Sequence, residues 1–583
     1  MKKISKILAA AVLSAVAFSS SYSLSVEAAE VDLTAYNNLM AANNDVTTHP
    51  ELNYGSNKEI KNGNYDKNMA VTCANGTFVG KDYGDCRIWR GIPFAKPPIG
   101  ELRWKKPVPV EDGKGIFEAY AFGYKPLQLF DPTNTSEDCL YLNVYKGKED
   151  GVKNKPVMVW IHGGGFAAEA ASDDLSRGEK FIKANPDVIL VTVEYRLGAM
   201  GFMDFSQVPG GDQYKDAVVL GNLDQVAALK WINKNIKNFG GDTKNVTIFG
   251  ESAGSMSCMT IPMIDESKGL FQKLIAQSGN LSYLFLDSER NWNTTNLMKI
   301  SGAKNMEDLQ KLPTSFFQEH AMDISGGPKT YSIIRNDTYL PRDYEKLYKT
   351  WGDKIGNVKV MLGSTGNESR YAFSTWMGLT EDQGGIFFEN SYKLIKKNMS
   401  PEQITVAEKF LAEYPGKTRL DKLDKLLTQM SFCQGAIEHI NVYPNKNKIF
   451  LYDFCVPAQT DYAGAYHSVD VEYLFNHKDR LACFGRNDAT THKISDQMQR
   501  VWVNFAKSGV PSLNGKAFKP YGKDHNTIVF DNKGNVTDTP HYHDWYNERL
   551  VPLRPVARFF GYNIGDLNPE KADPNLDIEN YNY

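Results

Sequence analysis

The chain has 583 residues, of which 42% are hydrophobic and 23% are charged, and its formal net charge is −3 at pH 7. This composition can build a large core, and α/β enzymes of this length can form a single unit. The near-neutral charge and the lack of a long basic run argue against a nucleic-acid partner, which would need a basic face.

The N-terminus has the pattern of an export signal. A basic start with Lys2, Lys3 and Lys6 precedes an apolar run at residues 7–18, and small residues that suit a cleavage site follow. The apolar run is too short to span a bilayer, and no later segment resembles a membrane span. We expect residues 1–28 to be a signal peptide and the protein to be exported, to the periplasm or outside the cell.

Composition also predicts how the rest of the chain is divided. Residues 29–68 are polar and rich in Asn and Gly, and residues 563–583 are polar again. We predict a polar N-terminal extension at 29–68, one domain at 69–562 and a polar C-terminal tail at 563–583. No internal repeat or clear linker divides the domain.

Within the domain, short β-type runs alternate with longer amphipathic segments. Continuous apolar runs typical of strands buried on both faces lie at 157–161, 188–193, 246–249, 358–362 and 449–454. Helical patterns lie at 219–239, 401–414 and 495–507. This alternation predicts an α/β fold with a mainly parallel central sheet.

A serine between two glycines follows one of these strands. The sequence GESAG at 250–254 comes directly after the run at 246–249 and before a helix-compatible stretch. This is the pattern of a nucleophile elbow, which exposes a serine hydroxyl at the end of a sheet. Ser252 is therefore the predicted nucleophile, and it requires a base, an orienting acid and oxyanion donors.

A glycine triplet supplies candidate oxyanion donors. The sequence HGGGF at 162–166 follows the strand run at 157–161, and three glycines leave backbone N–H groups unshielded. Such a turn forms an oxyanion hole together with the N–H of the residue after the nucleophile. The predicted donors are Gly164, Gly165 and Ala253.

The base must be a histidine that follows the serine if the chain order is Ser, acid, His. The candidates are His439, His467, His477, His492, His525, His541 and His543, with His320 possible only if the acid precedes it. His467 is favoured because it lies in a small-residue loop after the strand run at 449–454, and active sites collect at the carboxyl ends of parallel strands. The residues alone leave the other histidines open.

The orienting acid is expected after a strand between the serine and the base. Glu368 is the only carboxylate in the loop that follows the run at 358–362. Its role would be to hold the imidazole tautomer and stabilise the imidazolium. Chemistry alone does not exclude Glu381, Asp382 or Glu389.

The seven cysteines include no CxxC pair, so neither a zinc ribbon nor a thioredoxin-type site is indicated. Cys73 and Cys86 flank a predicted hairpin and could form a disulfide, while Cys258 is expected to be a small core residue. His541 and His543 form an H-x-H pair without an evident third ligand, and we interpret them as surface residues. No metal or cofactor is predicted.

Several ordered segments resemble the type-B carboxylesterase/cholinesterase family of α/β-hydrolases over most of residues 70–535. They are Arg90–Ala95, Ser136–Asn143, His162–Phe166, Tyr195–Gly198, Asn222–Gln225, Phe239–Asp242, Gln277–Gly279, His467–Phe475 and Trp502–Ala506. The resemblance implies the α/β-hydrolase fold, with helices on both faces of the sheet, and a Ser252, Glu368 and His467 triad. It implies a small-molecule ester and water as substrates, without an obligate protein partner.

The chain departs from the family pattern at several positions. Cys139 lacks the preceding cysteine that usually pairs with it, Glu194 stands where asparagine is usual, and Asp470 where glutamate is common. A tryptophan that binds choline in cholinesterases has no clear counterpart, so cholinesterase activity is not supported.

The predicted function is hydrolysis of carboxylic esters through an acyl-enzyme. An amidase, thioesterase or lactonase would use the same residues. A noncatalytic adhesion protein, as some family members are, is the alternative of another class, but every catalytic position is filled here.

Overall fold

The computed structural model describes residues 53–55, 57–129, 131–148, 153–286, 291–325, 331–373, 388–389, 391–393, 395–397, 399–458, 461–478 and 487–556. The predicted signal peptide at 1–28 and the predicted tail at 563–583 lie outside these residues. Among the described residues, no helix combines the length and apolar character needed to cross a membrane.

The strands of the described residues form one large sheet and three small ones. They are β1 (Ala70–Cys73), β2 (Gly76–Val79), β3 (Lys81–Asp82), β4 (Cys86–Pro93), β5 (Ile116–Glu118), β6 (Tyr141–Gly147), β7 (Lys155–Ile161), β8 (Ile189–Val193), β9 (Gly241–Glu251), β10 (Lys273–Gln277), β11 (Phe285–Leu286), β12 (Ile334–Arg335), β13 (Lys359–Thr365), β14 (Ile449–Phe454), β15 (Ser512–Leu513), β16 (Lys516–Ala517), β17 (Thr527–Phe530) and β18 (Val536–Thr539).

The large sheet has eleven strands in the order β18-β17-β14-β13-β10-β9-β7-β8-β6-β4-β3. Its central strands, from β17 to β8, are all parallel. The pairs β8–β6, β6–β4, β4–β3 and β17–β18 at the two edges are antiparallel. The prediction of a mainly parallel central sheet is confirmed.

The α-helices of the described residues connect these strands. They are Glu179–Ala184, Gly198–Gly201, Leu220–Asn235, Ala253–Thr260, Asn291–Ser301, Met306–Gln310, Thr314–Glu319, Ala321–Ser325, Tyr344–Ile355, Pro401–Glu413, Arg419–Thr428, Gln434–Val442, Val469–Leu474, Ala489–Ser508 and Asp544–Leu550. A π-helix at Gln429–Cys433 joins two of them.

Strand β7 shows why the sheet is covered on both faces. Val157, Val159 and Ile161 pack into one hydrophobic core, and Met158 and Trp160 pack into a second. Alternate side chains of a strand point to opposite faces, so a strand that is apolar throughout needs a core on each side. Fully burying each such side chain stabilises the fold by about 1.5–3 kcal/mol.

Different helices contribute to the two cores. Leu220–Asn235, Ala253–Thr260 and Tyr344–Ile355 supply buried residues to the core of Val157. Arg419–Thr428 and Ala489–Ser508 supply the core of Trp160. The expected α/β-hydrolase arrangement, with helices on both faces, is therefore present.

Two predicted helices differ from the observed ones at their ends. The helix predicted at 219–239 is α-helical over Leu220–Asn235 and tightens into a 3₁₀ turn before Gly240, whose φ of 92° ends it. The helix predicted at 495–507 begins six residues earlier, at Ala489, because Asp488 and Thr491 form a capping box.

The disulfide considered for Cys73 and Cys86 is wrong. Both thiols are free, and they lie in different cores on the two sides of the fold. Cys73 ends β1 in a small three-stranded sheet, whereas Cys86 begins β4 in the large sheet. Cys139 is also free and buried, and Cys258 is fully buried, as expected for a core residue.

Part of the predicted N-terminal extension packs against the domain. The Asn57 side chain donates to the carbonyls of Arg90 and Ala121 and accepts from the N–H groups of Tyr120 and Ala121. These bonds attach the segment to β4 and to the residues that follow β5.

Candidate active site

The serine motif forms a sharp turn between β9 and the helix Ala253–Thr260. Ser252 has φ 54° and ψ −120°, a strained conformation for a residue with a side chain. A Cβ on Gly254 would lie 2.0 Å from the carbonyl oxygen of Ile161, and one on Gly250 would lie 2.6 Å from the same atom. The turn therefore requires glycine on both sides of the serine.

The structure brings Ser252, His467 and Glu368 into one hydrogen-bonded row. The His467 Nε2 lies 2.9 Å from the Ser252 Oγ, and the His467 Nδ1 lies 2.6 Å from the Glu368 Oε2. The three residues follow β9, β14 and β13, whose parallel carboxyl ends meet at one edge of the sheet. These distances are those of well-formed hydrogen bonds.

Glu368 is held by its own loop. Its Oε1 accepts a 2.7 Å hydrogen bond from the backbone N–H of Thr365, the last residue of β13. The side chain is completely buried, whereas that of His467 is 15% exposed. The carboxylate is thus held by the backbone of its own loop, and part of the imidazole remains accessible to solvent.

Two aromatic rings lie beside the imidazole of His467. The ring centroid of Phe432 lies 5.1 Å from that of His467, and the centroid of Tyr371 lies 5.9 Å away. Phe432 is carried by the π-helix Gln429–Cys433, a distortion that is frequent at functional sites.

The glycine turn after β7 lies beside the nucleophile. Gly164 and Gly165 have φ values of 84° and 60°, which suit glycine. The Gly164 carbonyl accepts from the N–H groups of Ala167 and Ala168, which fixes the turn. A Cβ on Gly163 would lie 3.4 Å from the Ser252 Cβ, so the turn and the serine are in contact.

Ala253 offers a further N–H at this point. It is the first residue of the helix Ala253–Thr260, and the first N–H groups of a helix have no acceptor within it. The positive end of the helix dipole also lies here, next to the serine oxygen.

Two of the other candidates, His439 and Glu389, have partners outside this row. His439 is buried against Trp351, with ring centroids 4.4 Å apart. Glu389 pairs with Arg419 at 2.7 Å. Glu381 and Asp382 lie outside the described residues.

Sequence reasoning missed Glu251, which precedes the nucleophile. Its Oε1 lies 3.2 Å from the His467 Nε2 and accepts a 2.7 Å hydrogen bond from the Ser468 hydroxyl. Burial, reinforced by the negative charge of Asp470, raises the pKa of Glu251 well above its usual range. The signal that could have revealed it is a carboxylate inside the elbow itself.

Glu194 stands where asparagine is usual in the family, and its side chain lies next to His162, which directly precedes the three glycines. Its Oε2 is 3.7 Å from the His162 Nε2, and its Oε1 accepts a 3.3 Å hydrogen bond from the Ser172 hydroxyl. Burial raises the pKa of Glu194 to about 8 and lowers the pKa of His162 to about 4. Both side chains are therefore neutral near pH 7.

This carboxyl makes folding depend on pH. Between an unfolded pKa of 4.5 and a folded pKa of about 8, the folded state retains a proton that the unfolded state releases. The free energy of unfolding therefore falls as pH rises through this window, by about 1 kcal/mol per unit from this group. As pH rises from 5 to 8, we expect the free energy of unfolding to fall less in Glu194→Gln than in the wild type. The measurement is denaturant unfolding at each pH.

The matched control is Glu307→Gln, since the Glu307 side chain is 78% exposed. The free energy of unfolding of this control should change with pH as that of the wild type does. Parallel stability curves for wild type and Glu194→Gln would contradict this account of the buried carboxyl.

Comparison with known proteins agrees with the fold. The model of the carboxylesterase family matches residues 67–545. A para-nitrobenzyl esterase of Bacillus subtilis is 32% identical over 503 residues, which cover 81% of this chain and 96% of the relative. Carboxylesterase 1D of Rattus norvegicus is 30% identical, with 73% of this chain and 82% of the relative covered.

Solved structures that resemble this chain are also esterases. The crystal structure of the Geobacillus stearothermophilus carboxylesterase EST55 at pH 6.2 matches with a TM-score of 0.71 and 28% identity, covering 82% of this chain and 99% of that chain. A para-nitrobenzyl esterase structure matches with a TM-score of 0.69 and 29% identity, covering 83% and 99%. The chain thus belongs to the carboxylesterase family and is a carboxylic ester hydrolase.

Proposed function

We propose that this protein hydrolyses small carboxylic esters by two-step acyl transfer through Ser252. The observation that carries the proposal is the continuous hydrogen-bonded row from the Ser252 Oγ through the His467 ring to Glu368. In this row Ser252 is the nucleophile, His467 the general base and Glu368 the orienting acid.

The row sets the imidazole tautomer. The buried Glu368 Oε2 accepts from Nδ1, so Nδ1 carries the proton and Nε2 presents its lone pair to the serine hydroxyl. As Oγ attacks the ester carbonyl, its proton moves to Nε2, and the Glu368 carboxylate stabilises the resulting imidazolium.

The oxyanion is bound by backbone donors. The N–H groups of Gly164, Gly165 and Ala253 face the developing negative charge in the proposed tetrahedral intermediate. The contact between the glycine turn and Ser252 supports this assignment, as does the position of the Ala253 N–H at the start of the helix. Each such donor contributes about 2.7–4 kcal/mol to the transition state.

The second step returns the enzyme to its starting state. The alcohol leaves with the proton from the His467 Nε2, and the acyl group remains on Ser252. The same Nε2 then accepts a proton from water as the water oxygen attacks the acyl carbonyl. It returns this proton to the Ser252 Oγ when the bond between Oγ and the acyl carbon breaks and the acid leaves. The reaction requires no cofactor.

The flanking rings favour esters with an aromatic or other apolar group. Phe432 and Tyr371 lie beside the His467 ring, whose Nε2 would give the leaving alcohol its proton. The para-nitrobenzyl esterase relative is named for an aromatic ester of this kind. Para-nitrobenzyl and p-nitrophenyl esters are therefore suitable probes.

The test compares one acyl group as its p-nitrophenyl ester, p-nitroanilide and thioester, together with a lactone of similar size. We expect the ester to have the highest kcat/KM, because an amide leaving group needs more assistance from the same base. A higher kcat/KM for the anilide, the thioester or the lactone would contradict the proposal and identify the alternative activity.

We further propose that the protein acts outside the cytoplasm. The basic start and the apolar run at residues 7–18 support this, since they have the pattern of a cleaved signal. The mass of the protein recovered from its native cells should correspond to loss of about the first 28 residues. A full-length mass in the cytoplasmic fraction would contradict export.

A further inference from the structure

A cluster of two imidazoles and a carboxylate lies outside the active site. His525 precedes β17, His541 follows β18, and Asp544 begins the helix Asp544–Leu550. One ligand atom from each residue lies within 4.8 Å of the others, and this is the one such potential metal-binding group in the described part of the chain.

The antiparallel pairing of β17 with β18 explains why these residues meet. Thr527 pairs with Thr539, so His525, two residues before the first, lies beside His541, two residues after the second. The two histidines are 16 positions apart in sequence, and strand register brings them together. His543 does not belong to the cluster, although it is close to His541 in sequence. It is buried, so the prediction that it lies at the surface is wrong.

Local hydrogen bonds hold the three residues in position. The N–H of His541 donates to the Asp524 carbonyl, and the N–H of Asp544 donates to the His541 carbonyl. The ring of His525 stacks on Tyr521, with centroids 4.9 Å apart. The cluster is therefore organised by the protein chain itself.

Both imidazoles are directed at the one carboxylate. The His525 Nδ1 lies 2.6 Å from the Asp544 Oδ1, and the His541 Nδ1 lies 2.7 Å from the Oδ2. The side chains of His525, His541 and Asp544 are 43%, 61% and 25% exposed, so a hydrated ion can reach them.

We propose that His525, His541 and Asp544 form a binding site for a divalent transition metal, with Zn²⁺ as the best fit. Two imidazoles and a carboxylate are a donor set that Zn²⁺ accepts, with water completing the coordination. Ligand atoms of a tetrahedral zinc site are about 3.3 Å apart, given metal–ligand distances near 2.0 Å. The exposed side chains need to separate only slightly from their present contacts to admit the ion.

The bound ion would join the β17–β18 hairpin to the helix Asp544–Leu550. These elements form one edge of the large sheet and the segment that directly follows it. A ligand that binds only the folded state stabilises it. The site is thus assigned a structural role, separate from ester hydrolysis.

The test measures Zn²⁺ binding by isothermal titration calorimetry. The full mature protein is used without a histidine tag, after treatment with EDTA and removal of the chelator. We expect one equivalent of Zn²⁺ to bind the wild type and binding to be lost in His541→Ala and in Asp544→Asn. Cobalt(II) should give visible d–d bands with the wild type and not with His541→Ala or Asp544→Asn.

The matched control is His320→Ala. His320 is a partly exposed histidine whose Nδ1 lies 3.4 Å from the Asp323 Oδ2, and it belongs to no group of three potential metal ligands among the described residues. This variant should bind Zn²⁺ as the wild type does. Circular dichroism checks the fold of each variant, and His525→Ala replaces any that fails to fold.

Two outcomes would overturn the proposal. One is a wild type that binds no Zn²⁺, which would leave the cluster as a hydrogen-bonded charge pair only. The other is binding that persists unchanged in folded His541→Ala and Asp544→Asn. A rise in the thermal unfolding midpoint on adding Zn²⁺, seen in the wild type and absent in both variants, would support the structural role.

Discussion

Ser252→Ala is expected to lower kcat for p-nitrophenyl ester hydrolysis by about 10⁶-fold, the loss typical when a triad serine is removed. Without Oγ no acyl-enzyme can form, and only direct attack by water remains. Alanine can occupy the same strained turn without a larger Cβ conflict, so the unfolding midpoint should change little. The measurement is kcat and KM alongside thermal unfolding.

The control for this prediction is Ser267→Ala. Ser267 is also a buried serine, and its hydroxyl donates to the carbonyl of Ile261. This variant should keep its activity while losing some stability. A folded Ser252→Ala that hydrolyses esters at the wild-type rate would show that another residue is the nucleophile.

Glu368→Gln is expected to lower kcat by about 10⁴-fold with little change in KM. The Glu368 Oε1 accepts from the Thr365 N–H, and the Oε2 accepts from the His467 Nδ1. A glutamine has one acceptor oxygen for these two donors. If the oxygen stays with Thr365, the amide NH₂ faces Nδ1 and the imidazole proton moves to Nε2, where it blocks proton transfer from Ser252.

Glu389→Gln is the matched control, because Glu389 is paired with Arg419 away from the triad. Its kcat should equal that of the wild type. A wild-type kcat in Glu368→Gln, together with a large loss in Glu251→Gln, would instead make Glu251 the acid that supports His467.

The sequence could predict those parts of the site that have a local pattern. The turn at Ser252 can be predicted because it leaves no room for a Cβ at Gly250 or Gly254, so the sequence must have glycine at both positions. The strand at Ile449–Phe454 can be predicted because it is mostly apolar along its length, as a parallel strand buried on both faces needs to be.

Contacts between distant segments could not be predicted in the same way. The carboxylate of Glu251 within the serine motif is a local signal, but its contact with His467 depends on how β9 and β14 are placed in the sheet. His525 and His541 are brought together by the register of the β17–β18 hairpin. The early start of the helix at Ala489 depends on a capping box that apolar periodicity does not reveal.

The most direct test of the account is to trap the acyl-enzyme. The protein is mixed with p-nitrophenyl acetate, quenched with acid within milliseconds, and digested for peptide mass spectrometry. We predict an acetyl group on the Ser252 hydroxyl that appears during turnover and disappears when the substrate is consumed. Turnover without an acetyl group on Ser252, or with one only on another residue, would contradict acyl transfer through this serine.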